Sequence, residues 1–285
     1  MTLLPRRLLV PILALLAPVA LCAIILHLAW GMLTAVLLFP LLGQDARDAL
    51  VRFWSRIVLV LLGIRLQVRT DAAAGVQGPG QGALFVMNHV SWVDVFVICA
   101  LVPVRFVAKS EIAGWPVLGR FAGAVGTVFV ERGRRHAVAH VNAAVAARLR
   151  AGALIGIFPE GTTTDGTRLL RFHANLIQPA IDAQVPIVPL ALHYHQDHQP
   201  STAAAFIDDM TLAGSLWRIL IAPRLAVRVH CLPSLAVAGH GRHELAAHAQ
   251  AAIGRVLQLD ERGALDPEAD APEAPVLQSQ PQGGG

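Results

Sequence analysis

Tyrosine occurs once in this 285-residue chain, and aromatic residues make up only 6% of it. Surfaces that bind single-stranded nucleic acid stack bases on aromatic side chains set among basic ones. So few aromatics on the polar stretches argue against a nucleic-acid partner. Charge is scarce as well. Asp, Glu, Lys and Arg total 15% against 55% hydrophobic residues, with a mean hydropathy of +0.56. That balance is too apolar for an ordinary soluble enzyme. The three cysteines, Cys22, Cys99 and Cys231, sit in apolar runs without paired spacing. They read as small buried hydrophobes in a reducing compartment, not as a disulfide framework or a metal site. No internal repeat is present. There is no G-x-S-x-G elbow either, so no serine nucleophile of the hydrolase kind is expected.

The net charge of +4 is unevenly spread. Residues 260–285 carry six acids and one base, so this tail is −5 and the remainder +9. A basic body suits anionic membranes and phosphate groups. After Asp266 the proline, glutamine, glycine and acid content predicts a disordered tail.

Residues 8–42 contain no Asp, Glu, Lys or Arg. As one helix they would be about 52 Å long, beyond the ~30 Å hydrocarbon core of a bilayer. The surplus implies a steep tilt, a kink near Pro18, or a bent hairpin. A signal peptide has an apolar region of only about 7–15 residues, so a membrane anchor is the expectation. Arginines flank the run on both sides (Arg6, Arg7; Arg47, Arg52, Arg56), which leaves a single crossing and a hairpin both open. Residues 49–68 continue as an amphipathic helix suited to the headgroup level, and 75–82 is a turn-rich link.

From residue 83 short apolar strands alternate with helical patterns. Strands are expected at 83–87, 104–108, 126–131, 153–158, 186–192 and 225–231. Helices are expected at 91–101, 116–123, 136–150, 173–183 and 241–258. The fold class is therefore α/β: a mostly parallel or mixed sheet flanked by helices. The units are a membrane anchor (1–48), an amphipathic helix and linker (49–82), the α/β domain (83–258) and the tail (259–285).

The first strand runs into Asn88-His89-Val90-Ser91-Trp92-Val93-Asp94. A strand-to-helix junction leaves His89 exposed at the end of the sheet, with Asp94 in reach of its imidazole. A histidine oriented by a carboxylate is a general base near neutral pH. Ser91-x-x-Asp94 also has the form of a capping box, which alone would leave His89 an ordinary loop residue. Three further motifs sit at strand ends. Gly126-Thr127-Val128-Phe129-Val130-Glu131-Arg132 delivers an acid and an arginine. Phe158-Pro159-Glu160-Gly161-Thr162 wedges a carboxylate between a proline that fixes a turn and a glycine that permits close approach. Val185-Pro186-Ile187-Val188-Pro189 is a proline-flanked apolar strand. Active sites of open α/β sheets lie outside the carboxyl ends of the strands.

Together these blocks resemble the glycerolipid acyltransferase superfamily, the group containing 1-acylglycerol-3-phosphate acyltransferases. The match covers about residues 50–195. N-H-x-S-x-x-D falls on Asn88, His89, Ser91 and Asp94, and G-x-x-F-x-x-R on Gly126, Phe129 and Arg132. F-P-E-G-T and V-P-I-V-P are complete. The resemblance implies a membrane-bound enzyme of the inner (cytoplasmic) membrane, its catalytic domain on the cytoplasmic face. It would move a fatty acyl group from acyl-CoA or acyl carrier protein to a lysophospholipid hydroxyl, with no cofactor. His89 would be the base and Asp94 its orienting acid. Arg132 would pair with the acceptor phosphate, and Lys109 is a second phosphate candidate. Glu160, Gly161 and Thr162 would orient the glycerol, and Ser91 joins the substrate-binding set.

Two departures bear on the acceptor. The family often has an arginine after F-P-E-G-T, where this chain has Thr163. It often has lysine and glycine after the next phenylalanine, where this chain has Phe172-His173-Ala174. The acceptor is therefore 1-acyl-sn-glycerol-3-phosphate or another lysolipid such as lyso-ornithine lipid; a membrane-anchored inactive member is the third reading. Finally, His193-Tyr194-His195-Gln196-Asp197-His198 matches the H-x-H-x-D-H metal signature. Such a site needs further ligands on later strands, so a histidine-rich loop after the fourth motif is expected, with no metal.

Overall fold

The computed structural model describes residues 5–71, 80–109, 127–130 and 135–259, with single positions at 114 and 123. The expected helix at 116–123, but for position 123, and the tail from 260 lie outside them. The N-terminal apolar run forms one continuous helix, α1 (Arg6–Leu37), about 48 Å long. By length and composition it can cross a membrane. It does not fold back on itself. The return leg is α2 (Gln44–Leu61), reached through a single turn of 3-10 helix, Phe39–Leu41.

These two helices are locked together at one point. The Trp54 indole N–H donates to the His27 carbonyl at 3.2 Å, and the His27 ring donates back to the Trp54 carbonyl at 3.1 Å. Their rings stack 4.9 Å apart. Gly31 makes room for this, since a Cβ there would lie 2.2 Å from Trp54 Nε1. Ala17, Ile24, His27 and Ala35 form one narrow buried stripe, and the rest of α1 presents Leu, Ile and Val outward. Cys22 accordingly lies exposed. The expectation that all three cysteines are buried holds only for Cys99: Cys231 is half-buried, and Cys22 is exposed because only one stripe of α1 meets protein.

The amphipathic pattern at 49–68 does not stay helical. Residues 65–70 are strand β1 (Arg65–Thr70), and this begins the sheet well before residue 83. β2 (Ala83–Met87) is wholly buried. It is followed by α3 (Asp94–Cys99), β3 (Arg105–Lys109), β4 (Val128–Val130), α4 (Arg135–Arg150), β5 (Leu154–Ile157), α5 (Gln178–Ala183), β6 (Ile187–Gln196), β7 (Gln199–Pro200), α6 (Leu212–Leu220), β8 (Leu225–Cys231) and α7 (Arg242–Leu257). The sheet order is β1-β8-β6-β2-β5-β3-β4, with β7 paired to β6. Pairs within β6-β2-β5-β3-β4 are parallel, as is β1-β8, and the β6-β8 junction is antiparallel. The sheet is thus mixed, flanked by helices.

Alternation along β2 separates two cores. Phe85 and Met87 pack with α1, α2 and α3, while Leu84 and Val86 pack with α4, α5 and α7. β6 runs past residue 192 to Gln196, so His193 and His195 are strand residues and not a loop. Asp197 and His198 make the tight turn into β7, with φ of 50° and 67°. Pairing extends β6 because β8 offers seven register partners, Cys231 back to Leu225, to its residues Leu190 to Gln196.

Candidate active site

Asn88 is the hinge on which the site is built. Just beyond β2, its buried side-chain amide donates to the Leu192 carbonyl at 3.0 Å and accepts the Leu192 N–H at 2.8 Å. A side chain thereby stands in for a missing strand partner and fixes β6 beside the turn that follows. That turn, Ser91 to Val93, leads directly into α3 and places Asp94 in its first position.

Asp94 is completely buried. Its Oδ2 accepts the Val90 N–H at 2.8 Å, the Ser91 N–H at 2.9 Å and the His89 Nδ1–H at 2.9 Å. Its Oδ1 accepts the Tyr194 hydroxyl at 2.7 Å. The contact expected between His89 and Asp94 and the backbone contact expected of a capping residue are both present. Asp94 supplies the return arm of a capping box, and the same oxygen holds the imidazole. A carboxylate can only accept, so Nδ1 carries a ring proton, and in the neutral ring the lone pair is on Nε2. The His89 side chain is 20% exposed. One ring face stacks on Phe158 at 3.9 Å, and Phe158 stacks on Phe106 at 5.4 Å.

Glu160 closes the site from the end of β5. It is buried, with Oε1 accepting the His89 N–H at 2.7 Å and Oε2 the Leu170 N–H at 2.9 Å. Burial pushes its carboxyl up to about 7, partly offset by those two backbone donors, while the charge of Asp94 adds to the rise. Gly161 has φ of 75°, a left-handed backbone that glycine adopts without strain. A Cβ there would press on the His173 ring at 3.3 Å. The Thr164 N–H donates to the His89 carbonyl at 2.9 Å. Thr163 donates its hydroxyl to the Phe206 carbonyl, and the Phe206 N–H returns to the Val90 carbonyl at 2.9 Å. Trp92 donates to Ser215 of α6 at 3.1 Å.

The structure thus brings His89, Asp94 and Glu160 together, with Gly161 and the exposed Thr162 at the rim. Two expected roles change. Ser91 is completely buried and its hydroxyl accepts the Val93 N–H at 3.3 Å, so it shapes the turn and offers nothing to a substrate. Glu160 has both oxygens bound to backbone, so it holds His89 in place and does not reach toward glycerol. Arg132 lies outside the described residues, and Lys109 is described only by its backbone place ending β3. Sequence reasoning missed Tyr194, Leu170 and Phe206. Leu170 and Phe206 lie in segments without a motif, and Tyr194 lies in the histidine-rich run read only as a metal-signature decoy, where being the single tyrosine of the chain was its one signal.

Residues 66–193, which hold this histidine–carboxylate pair, match the family model described as Acyltransferase. The chain belongs to that family. The lyso-ornithine lipid O-acyltransferase of Pseudomonas aeruginosa is 37% identical over 207 residues, 73% of this chain and 78% of that protein. The 1-acyl-sn-glycerol-3-phosphate acyltransferase of Neisseria meningitidis serogroup B is 39% identical over 185 residues, 65% of this chain and 71% of that one. The fold is similar to the crystal structure of the 1-acyl-sn-glycerophosphate acyltransferase of Thermotoga maritima. The TM-score is 0.64 at 17% identity, covering 89% of this chain and 97% of that one.

Proposed function

We propose that this enzyme transfers a fatty acyl group from a thioester to the free hydroxyl of 1-acyl-sn-glycerol-3-phosphate, giving phosphatidic acid. The observation that carries the reading is the 2.9 Å bond from His89 Nδ1 to a fully buried carboxylate, which leaves Nε2 as a base. Nε2 takes the hydroxyl proton as the oxygen attacks the thioester carbonyl carbon. The C–S bond of the resulting tetrahedral intermediate then breaks. The sulfur leaves as thiol with the proton returned by the imidazolium, and the new ester remains. A thioester is already activated, so no covalent enzyme intermediate is required. Positioned base catalysis supplies about 10²–10⁴ in rate, and alignment of the two substrates supplies more. Phe158, stacked on His89, favours the transient imidazolium by its ring face.

Acyl-CoA or acyl carrier protein would be the donor. The inner membrane is the proposed location, with the catalytic domain on the cytoplasmic face.

A second acceptor, lyso-ornithine lipid, is favoured by one observation. Thr163 stands where the family often has an arginine, and its hydroxyl is tied to the Phe206 carbonyl. The relative from Pseudomonas aeruginosa bears that acceptor in its name. Thiol release from acyl-CoA by the purified full chain, with each lysolipid in turn, tests both. Faster turnover of 1-acyl-sn-glycerol-3-phosphate supports the first reading and faster turnover of lyso-ornithine lipid the second. Release with neither, from folded protein, overturns both.

A further inference from the structure

We propose that Tyr194 is a positioning residue of the transfer reaction: its hydroxyl, bound to Asp94 Oδ1, sets how tightly the His89–Asp94 pair holds a proton. The inference rests on the reading of His89 as the base. Tyr194 sits inside the run that mimics a metal signature, but strand alternation sends it to the opposite face from His193 and His195. It is buried among Leu190, Leu192 and Val227 in the core beneath α1, α2 and α3. Packing there needs only the ring. A buried phenol hydroxyl must find a partner, and this one finds the catalytic carboxylate at 2.7 Å.

Charge distribution on Asp94 makes that bond consequential. Oδ2 has three donors, two from backbone and one from His89, whereas Oδ1 has Tyr194 as its one partner among the described residues. In a site closed to water each donor to a carboxylate draws charge from it and weakens its hold on a neighbouring proton. Tyr194 itself stays protonated, because burial, the Asp94 charge and the bond to Asp94 all hold its hydroxyl well above its ordinary value. Asn88 fixes the geometry, since its two bonds to Leu192 set β6 only two residues before Tyr194. Other titratable groups facing the pair are Glu160 on the His89 amide, Arg168 acting on Glu160, and His173 beside Gly161. They are unchanged by substitution at 194, so a difference between profiles isolates the tyrosine.

The test measures kcat and acceptor KM from pH 5 to 9 with the full chain in detergent micelles, acyl-CoA as donor and 1-acyl-sn-glycerol-3-phosphate or lyso-ornithine lipid as acceptor, whichever the wild type turns over. Tyr194→Phe should leave KM within about twofold and lower kcat by up to about tenfold on the acid side, less near neutral pH. Its acid limb should move up by about one pH unit, with activity recovering toward pH 9. Because the chain has one tyrosine, replacing tyrosine with 3-fluorotyrosine during expression alters this hydroxyl alone. The fluorinated phenol is a stronger donor, so the limb should move down, and this arm decides the matter should Tyr194→Phe fail to fold. Coincident limbs, or a loss equal at every pH, would overturn the proposal. His89→Ala separates the two readings: turnover surviving in that variant removes the base, whereas an inactive His89→Ala beside unmoved limbs removes only the role of Tyr194.

Discussion

The carboxylate of Glu160 accepts the backbone N–H of His89 at 2.7 Å, joining residues 71 positions apart. The third motif therefore acts on the first through the main chain of His89, the proposed base. Its other oxygen reaches Leu170, so one side chain fastens the β2 turn, the β5 turn and the loop after it.

Replacing Glu160 with Gln should expose that function. An amide offers one acceptor oxygen and turns its NH2 toward the second backbone donor, leaving that N–H unsatisfied at about 1–3 kcal/mol. Thermal unfolding of Glu160→Gln should fall accordingly, with kcat reduced and acceptor KM little changed. The wild type should also show a pH signature. A carboxyl raised from 4.5 to about 7 favours the fold while it is protonated. That contribution is complete below about pH 4.5 and is lost as pH rises through about 7, up to about 3 kcal/mol in all. Unfolding measured from pH 4 to 8 should contain this slope in the wild type and lack it in Glu160→Gln.

His89→Ala and Asp94→Asn should each lower kcat by about 10²–10⁴. Membrane association should be intact in both, since the exposed apolar surface of α1 is untouched. Vesicle flotation beside thiol release checks the two together. Near-normal turnover in either variant would remove the proposed mechanism.

Much of this arrangement was legible in the residues. Strand 83–87 is seen with its expected bounds, because a fully buried apolar strand ended by Asn88 has few alternatives. The His89–Asp94 contact followed from five-residue spacing across a strand-to-helix turn. β1 was not legible: Arg65-Leu66-Gln67-Val68 continues the apolar-and-basic pattern of α2, and its partner, β8, begins at residue 225. α6 was missed for a different reason: it is strongly amphipathic and capped by Thr211, but at nine residues it is too short to stand out as a helix. The roles of Ser91 and Glu160 were read as substrate contacts because motif order records chemistry, whereas their occupancy by backbone amides is set by turns visible only in three dimensions.

Gly31→Ala should separate α1 from α2. A methyl group would lie 2.2 Å from Trp54 Nε1 and 2.6 Å from Cε2, so the indole must leave its stack on His27. Overpacking of this kind costs about 1–3 kcal/mol. Trp54 also touches Phe96 of α3 at 5.7 Å, so the displacement reaches the helix that begins at Asp94. Lower thermal stability and faster protease cleavage between residues 38 and 43 are expected. Unchanged proteolysis would show that the α1–α2 contact is dispensable.

Arg132→Ala distinguishes the acceptors. A guanidinium fork binds a phosphate monoester through paired charge-assisted bonds, which lyso-ornithine lipid cannot offer because it lacks phosphate. If Arg132 reads the acceptor phosphate, its removal should raise KM for 1-acyl-sn-glycerol-3-phosphate about tenfold or more at constant kcat, while KM for lyso-ornithine lipid stays within about twofold of wild type. Steady-state thiol release with both lysolipids in one detergent provides the comparison. An equal rise for both would place Arg132 with the thioester donor or the fold, and an unchanged KM for the phosphate-bearing acceptor would remove its assigned role.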